Sequence, residues 1–253
     1  MHRYFFEISY NGTHYAGWQS QPNAKGVQEV VENALSKLLR QDIEIVGSGR
    51  TDAGVHCEQQ FFHADVDQGL DSILFLGRLN AFLPKDIVIQ SVHQVKEDAH
   101  ARYGATERSY EYRITLKKNP FLEGLALHYF KSLDVQTMNH AAALLVGQQD
   151  FESFSKVKTD VSNFRCDVRV AEWRQSNDLL VFHITANRFL RGMVRAIVGT
   201  LLDVGAGKLT VADFEKILKA RDRKTAGMNA APYGLFLTRV AYPESLFIQK
   251  TIA

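Results

Sequence analysis

ERSYEYRITL, Glu107 to Leu116, is the stretch on which the fold turns, because a pattern already present at the start of the chain begins again there. Tyr110, Tyr112, Ile114 and Leu116 fall on one side of it, the period of two that marks a half-buried strand. Arg3 to Tyr10 alternates in the same way, with Tyr4, Phe6, Ile8 and Tyr10 on one side. Outward from the first strand, Val27, Val30, Val31, Ala34, Leu35, Leu38 and Leu39 recur along one helical face. Ile43 to Val46 reads as a short strand, Gly47 to Gly54 as a loop and Gln59 to Val66 as a strand. A helix capped by Asp71 or Ser72 runs to Phe82 ahead of Pro84, and Ile87 to Val95 is a closing strand.

Outward from the second strand, Asp134 caps a helix carrying Met138, Ala141, Ala142 and Leu145, ended by Gly147. Asp167 to Arg174 and Leu179 to Ala186 read as strands around the turn residues Ser176, Asn177 and Asp178. Leu190, Met193, Val194, Ile197, Val198, Leu201 and Leu202 then keep register over a helix from Phe189 to Val204. A further helix starts at Thr210 with Asp213 as its capping-box partner, and Leu235 to Ala241 is the last strand. Both halves therefore read βαββαβ, the second with one added helix. The expectation is an α+β fold of two ferredoxin-like, RRM-like subdomains joined through a mostly antiparallel sheet, with helices on one face. Residues 1–105 form the first subdomain and carry the glycine loop; residues 106–253 form the second. The other sheet faces are then free, and with the connecting loops they form a catalytic cleft suited to a large ligand.

Composition excludes several classes. In 253 residues, 45% are apolar and 23% charged, as in an ordinary globular chain, and no low-complexity tract is present. The apolar run from Ala196 to Val204 is broken by Gly199 and Asp203 and is too short for a membrane crossing. Glu7 interrupts the stretch where a signal peptide would be apolar, and two cysteines, Cys57 and Cys166, are too few for a disulfide framework. A cytoplasmic protein is expected, with no membrane partner. Thirty basic against 28 acidic residues leave a net charge of +2, so any surface for nucleic acid must be a local patch.

The most unusual segment is Gly47 to His56, GSGRTDAGVH. Its glycines free the backbone for strained angles and close approach. The spacing matches neither a dinucleotide fingerprint nor a P-loop. A tight interstrand loop in which Asp52 caps a turn accounts for it as well as a functional site does. In the functional reading, Asp52 is a carboxylate two residues from a guanidinium, Arg50, held ionised as a nucleophile or general base. Gly205-Ala206-Gly207-Lys208 lacks the P-loop spacing and reads as a helix end. His56, Cys57 and His63 have no fourth ligand at a metal-site spacing, and His63 fits the strand alternation as a surface residue, so neither metal nor cofactor is expected. Arg188, Arg191 and Arg195 line one flank of the Phe189 helix, and Lys216, Lys219, Arg221, Arg223 and Lys224 form a second basic run diluted by Glu215 and Asp222. Either is a solvated flank or a phosphate contact.

GSGRTDAGVH resembles the catalytic motif of the tRNA pseudouridine synthase A family. Further blocks resemble that family in the same order: Gly17-Trp18-Gln19 with Gln21-Pro22-Asn23, Ala101-Arg102-Tyr103, Arg108 to Tyr112, Met193 to Gly199, and Gly234 to Leu237. The resemblance implies a cofactor-free isomerase that converts uridine to pseudouridine in the anticodon stem and loop of tRNA, working as a homodimer with the tRNA across both subunits. It implies Asp52 as the catalytic carboxylate and Arg50 as the side chain filling the space of the extruded nucleotide. It also implies Tyr110 against the flipped base, Arg195 as the partner of Asp52, and Leu235 as an apolar wall. Cys57, where a small residue is common, and Gly192, where longer polar side chains are common, depart from the family pattern. Two other readings belong to different classes. One is a nucleoside hydrolase pairing Asp52 with Glu58 or Asp65. The other is a non-enzymatic module that stacks single-stranded RNA on its sheets.

Overall fold

The structure is a computed structural model that describes residues 1–70, 72–157 and 163–249. The first six elements follow the expected order: β1 (His2–Tyr10), α1 (Val27–Leu39), β2 (Val46–Gly47), β3 (His56–Val66), α2 (Ser72–Phe82) and β4 (Ile87–Val95). Then come β5 (Glu107–Thr115), β6 (Leu127–His128), α3 (Val135–Ala143), β7 (Gly147–Asp150), β8 (Arg165–Ser176) and β9 (Leu179–Ala186). The chain ends with α4 (Met193–Gly205), α5 (Val211–Ala220), β10 (Leu235–Ala241) and β11 (Phe247–Gln249). It divides into two compact units, Met1–Glu107 with Leu237–Ala253, and Arg108–Phe236. A single cut at 105/106 does not describe this, because the chain from Leu237 onward groups with the first unit.

In the first unit the strand order is β11-β4-β1-β3 with β2 on β3, and the ladders are antiparallel. Alternation in β1 does what it predicts on one face. Phe6 stacks on Phe62 at 4.8 Å and meets Phe75 of α2 at 6.4 Å. Val27, Val31, Ala34 and Leu35 are the buried side of α1, with Val27, Val31 and Leu35 each contributing about 1.5–3 kcal/mol by leaving water. The opposite face was expected to be free and is not. Phe5, fully buried, meets Tyr242 at 5.1 Å and Phe247 at 6.0 Å, and Phe61 meets Tyr242 at 5.3 Å. The C-terminal segment is thus an aromatic cover on this sheet, which is why it groups with the first unit. The strand expected at Ile43 to Val46 shrinks to Val46–Gly47, because Ile43 and Ile45 are anchored from α1: Ser36 Oγ accepts from the Ile43 N–H and Glu32 Oε1 from the Ile45 N–H. The cap expected at Asp71 lies outside the described residues.

In the second unit β5, β9, β8 and β7 run in that order with antiparallel ladders, and β6 pairs β5 in parallel. Tyr112, Leu180, Phe182 and Ile184 are fully buried. Asp134 caps α3 by accepting from the Thr137 N–H, but the helix ends at Ala143, and Gly147 opens β7 instead. The helix expected from Phe189 begins only at Met193. Gly192 is its N-cap, at φ +73, a left-handed conformation that keeps Phe189 to Arg191 out of the helix. Ten of the thirteen residues of α4 are buried, so it is the central helix of this unit. The capping box at Thr210 and Asp213 is formed.

Candidate active site

The glycine loop is built almost wholly from backbone ties. The Ser48 N–H donates to the Phe61 carbonyl (2.7 Å), the Trp18 N–H to Thr51 (3.3 Å), the Gly54 N–H to Tyr15 (3.2 Å) and the Val55 N–H to Asp52 (3.2 Å). Gly17 makes this possible. It sits at φ +99, and a Cβ there would lie 2.3 Å from the Thr51 carbonyl oxygen. Of the loop's own three glycines only Gly54 takes a positive φ. Side chains add to the ties. Tyr10 Oη and Thr51 Oγ1 are 2.8 Å apart, Tyr10 Oη donates to Gln60 Oε1 (3.4 Å), and Gln60 Nε2 donates to the Gly49 carbonyl (3.3 Å). Asp52 is half-buried on this frame, and Arg50 is exposed.

The histidines and thiol beside the loop are occupied by structure. His56 Nδ1 accepts from the Gly12 N–H (3.1 Å), and His63 Nδ1 from the Ala101 N–H (3.1 Å). His63 is buried, contrary to the surface position its alternation suggested, because residues 99–101 cover that face. Burial first, then the charge of Arg3, brings its pKa down to about 4. Burial pushes the Cys57 thiol well up, so it stays protonated. Asp65 is gripped by Arg3 through both oxygens (2.8 and 2.7 Å), and this pairing holds its carboxyl below the usual range. Among the described residues no group of three His, Cys, Asp or Glu side chains is placed to hold a metal ion.

Tyr110, Arg195 and Leu235 belong to the second unit. Tyr110 is half-buried, with Phe189 edge-on at 5.1 Å. Arg195, on the first turn of α4, donates from Nε to the Ala230 carbonyl (2.7 Å), while the Ala230 N–H donates back to the Arg195 carbonyl (2.9 Å). Residues 227–231 form a strap across α4. The Gly227 N–H donates to Thr200 Oγ1 (2.9 Å), and Gly199 lets the strap cross where a Cβ would lie 1.8 Å from the Met228 carbonyl oxygen. The buried Tyr112 hydroxyl donates to Ala231 (2.9 Å), and the chain then turns through Pro232–Gly234 into the buried Leu235. One strap therefore sets both Arg195 and Leu235. Gly17, Tyr10, Gln60, Thr200 and Tyr112, which do this positioning, were not singled out from sequence as site residues. For Tyr10, Gln60, Thr200 and Tyr112 the signal was only a polar atom at a core position; for Gly17 it was only a glycine between elements.

The basic runs are less available than their sequence suggests. Arg188 and Arg191 precede α4 and do not share its flank with Arg195. Lys216 pairs with Asp213 (3.2 Å), Lys219 with Glu215 (2.5 Å) and Arg221 with Asp150 (3.5 Å), and Arg223 donates to Asn229 (2.8 Å). Gly205 to Lys208 is a helix end, with Gly207 at φ +72 and Lys208 paired to Asp203 at 2.7 Å.

An α+β chain that presents a carboxylate on a glycine loop locked in place by its own backbone has the build of an enzyme that uses a fixed acid group. The family model described as tRNA pseudouridine synthase matches residues 8–104 and 141–243, and the chain belongs to that family. It is 50% identical over 252 residues to the tRNA pseudouridine synthase A of Porphyromonas gingivalis, covering 98% of this chain and 100% of the relative. The Bacteroides thetaiotaomicron protein of the same description is 48% identical over 254 residues (99% and 94%), and that of Bacillus pumilus 38% over 239 residues (93% and 97%). A solved Cbf5-Nop10-Gar1 complex is matched at a TM-score of 0.36 and 10% identity, over 92% of this chain and 57% of that one.

Proposed function

We propose that the chain isomerises uridine to pseudouridine in the anticodon stem and loop of tRNA, with the Asp52 carboxylate as the catalytic group. Membership of the family supports the reaction. The observation that carries the role of Asp52 is its position, half-buried on the loop tied through Ser48, Thr51 and Gly54 to the rest of its unit.

The reaction breaks the N1 to C1′ bond, turns the freed uracil while it stays bound, and joins C5 to C1′; C5 then gives up its hydrogen to solvent as a proton and N1 takes one up. The composition is unchanged overall, so one carboxylate suffices for the glycosyl step. It attacks C1′ or C6 as a nucleophile, or takes a proton from C2′ to form a glycal. The target base must first leave its stack, at a cost of about a few kcal/mol. The resemblance assigns Arg50 to the vacated space, Tyr110 to the face of the base, Leu235 to an apolar wall and Arg195 to the charge of Asp52. The exposure of Arg50 and the anchored guanidinium of Arg195 are compatible with those parts. By the same resemblance the enzyme works as a homodimer with the tRNA across both subunits, and the two cysteines, too few for a disulfide framework, favour the cytoplasm. Among the described residues no helix is long and apolar enough to cross a membrane.

The hydrolase reading loses one of its two second carboxylates, since Asp65 is committed to Arg3 and ionised. Incubation with unmodified tRNA tritiated at uracil C5 tests the proposal. Tritium release without loss of base from the wild type, and none from Asp52→Asn, is the expected result; released uracil would mean a hydrolase.

A further inference from the structure

Tyr10 ends β1 with 4% of its surface exposed, so its hydroxyl must find partners inside the protein. It finds them on both sides of the catalytic loop. Thr51 Oγ1 lies 2.8 Å away, and the Tyr10 hydroxyl donates to Gln60 Oε1 at 3.4 Å. With the Tyr10 proton directed to Gln60, the Thr51 hydroxyl donates to Tyr10. Gln60 then passes the chain on, donating from Nε2 to the Gly49 carbonyl at 3.3 Å. Thr51 is 8% exposed and Gln60 fully buried. The relay therefore leaves two strands, β1 and β3, and grips the loop at Gly49 and Thr51, which bracket Arg50, Thr51 being the residue immediately before Asp52.

Backbone ties hold the loop through the Thr51 carbonyl, and the Tyr10 contact adds a side-chain tie at the same residue, next to the carboxylate. We propose that Tyr10, through Thr51 and Gln60, is a positioning residue for the isomerisation, setting the aim of the Asp52 carboxylate without touching substrate. This rests on the reading of Asp52 as the catalytic carboxylate. Misplacement of a reacting group by about 1 Å costs up to about a hundredfold in rate. Loss of one relay member is expected to cost about tenfold or more in kcat, with KM for tRNA little changed.

The test is single-turnover and steady-state kinetics on unmodified tRNA for Tyr10→Phe, Thr51→Val, Thr51→Ser, the Tyr10→Phe/Thr51→Val double variant and Asp52→Asn, with thermal unfolding of each. Tyr10→Phe keeps the ring that lies 6.2 Å from Trp18. The expected result is a kcat about tenfold or more down in Tyr10→Phe and Thr51→Val, no further loss in the double variant, and recovery in Thr51→Ser, which keeps the hydroxyl. If Tyr10→Phe does not fold, the contrast between Thr51→Val and Thr51→Ser carries the test alone. Near wild-type kcat in Thr51→Val, or a loss that tracks stability and KM instead, overturns the inference while Asp52→Asn remains inactive. Turnover by Asp52→Asn overturns the reading beneath it.

Discussion

Replacing Gly17 with alanine sets a Cβ 2.3 Å from the Thr51 carbonyl oxygen at a backbone φ of +99, so the loop must shift. We expect a loss of about 1–3 kcal/mol of stability and a fall in kcat at saturating tRNA, measured by denaturant unfolding and initial rates; an unchanged rate would mean that the clamp does not aim Asp52. His63 supplies a second residue-scale expectation. Its folded pKa is lowered to about 4 from 6.5, so protons favour the unfolded chain. Its contribution is whole above about pH 6.5 and is lost as the pH falls towards about 4, at most about 1.4 kcal/mol per pH unit. Urea midpoints should fall across that window, and less steeply in His63→Asn, whose side-chain oxygen can still accept from the Ala101 N–H; equal slopes would contradict the assignment. At this scale the glycine loop that carries Asp52 was legible because its motif is local. Gly17 was not, because its need for a left-handed angle arises only when residues 15–18 meet residues 51–54 in space.

The elements themselves were legible where one face of a helix or strand is buried and the other wet. α1, β4, β9 and the capping box of α5 follow directly from periodicity and capping residues. α4 was drawn as starting four residues too early because Phe189 and Leu190 continue its apolar spacing, whereas the left-handed Gly192 starts the helix at Met193. Alternation also hid the second buried face of β1. Tyr4, Phe5 and Phe6 are all buried because a segment distant in sequence, with Tyr242 and Phe247, covers Phe5. Tyr242 also donates its hydroxyl to the Ala101 carbonyl at 2.5 Å. Tyr242→Ala should therefore cost about 3 kcal/mol or more, read as a lower denaturant midpoint. A change below about 1 kcal/mol would show that the C-terminal cover adds nothing.

Taken whole, the molecule carries little net charge, +2, and much of its basic run on α5 is internally paired. Affinity for tRNA must then come from a limited number of phosphate contacts. A plot of log Kd against log salt should rise with a shallow slope, about +0.9 per phosphate neutralised on duplex segments. Arg50→Ala should weaken binding and turnover together, whereas Asp52→Asn should leave binding intact. Light scattering at working concentration is expected to give the mass of two chains. The most direct measurement of the central claim is nucleoside analysis of one unmodified tRNA after incubation with wild type and with Asp52→Asn, scoring uridine, pseudouridine and free uracil together. The account predicts that wild type converts uridine to pseudouridine one for one with no free uracil, and that Asp52→Asn binds the tRNA and converts none. Pseudouridine formed by Asp52→Asn, or uracil released by the wild type, would contradict it.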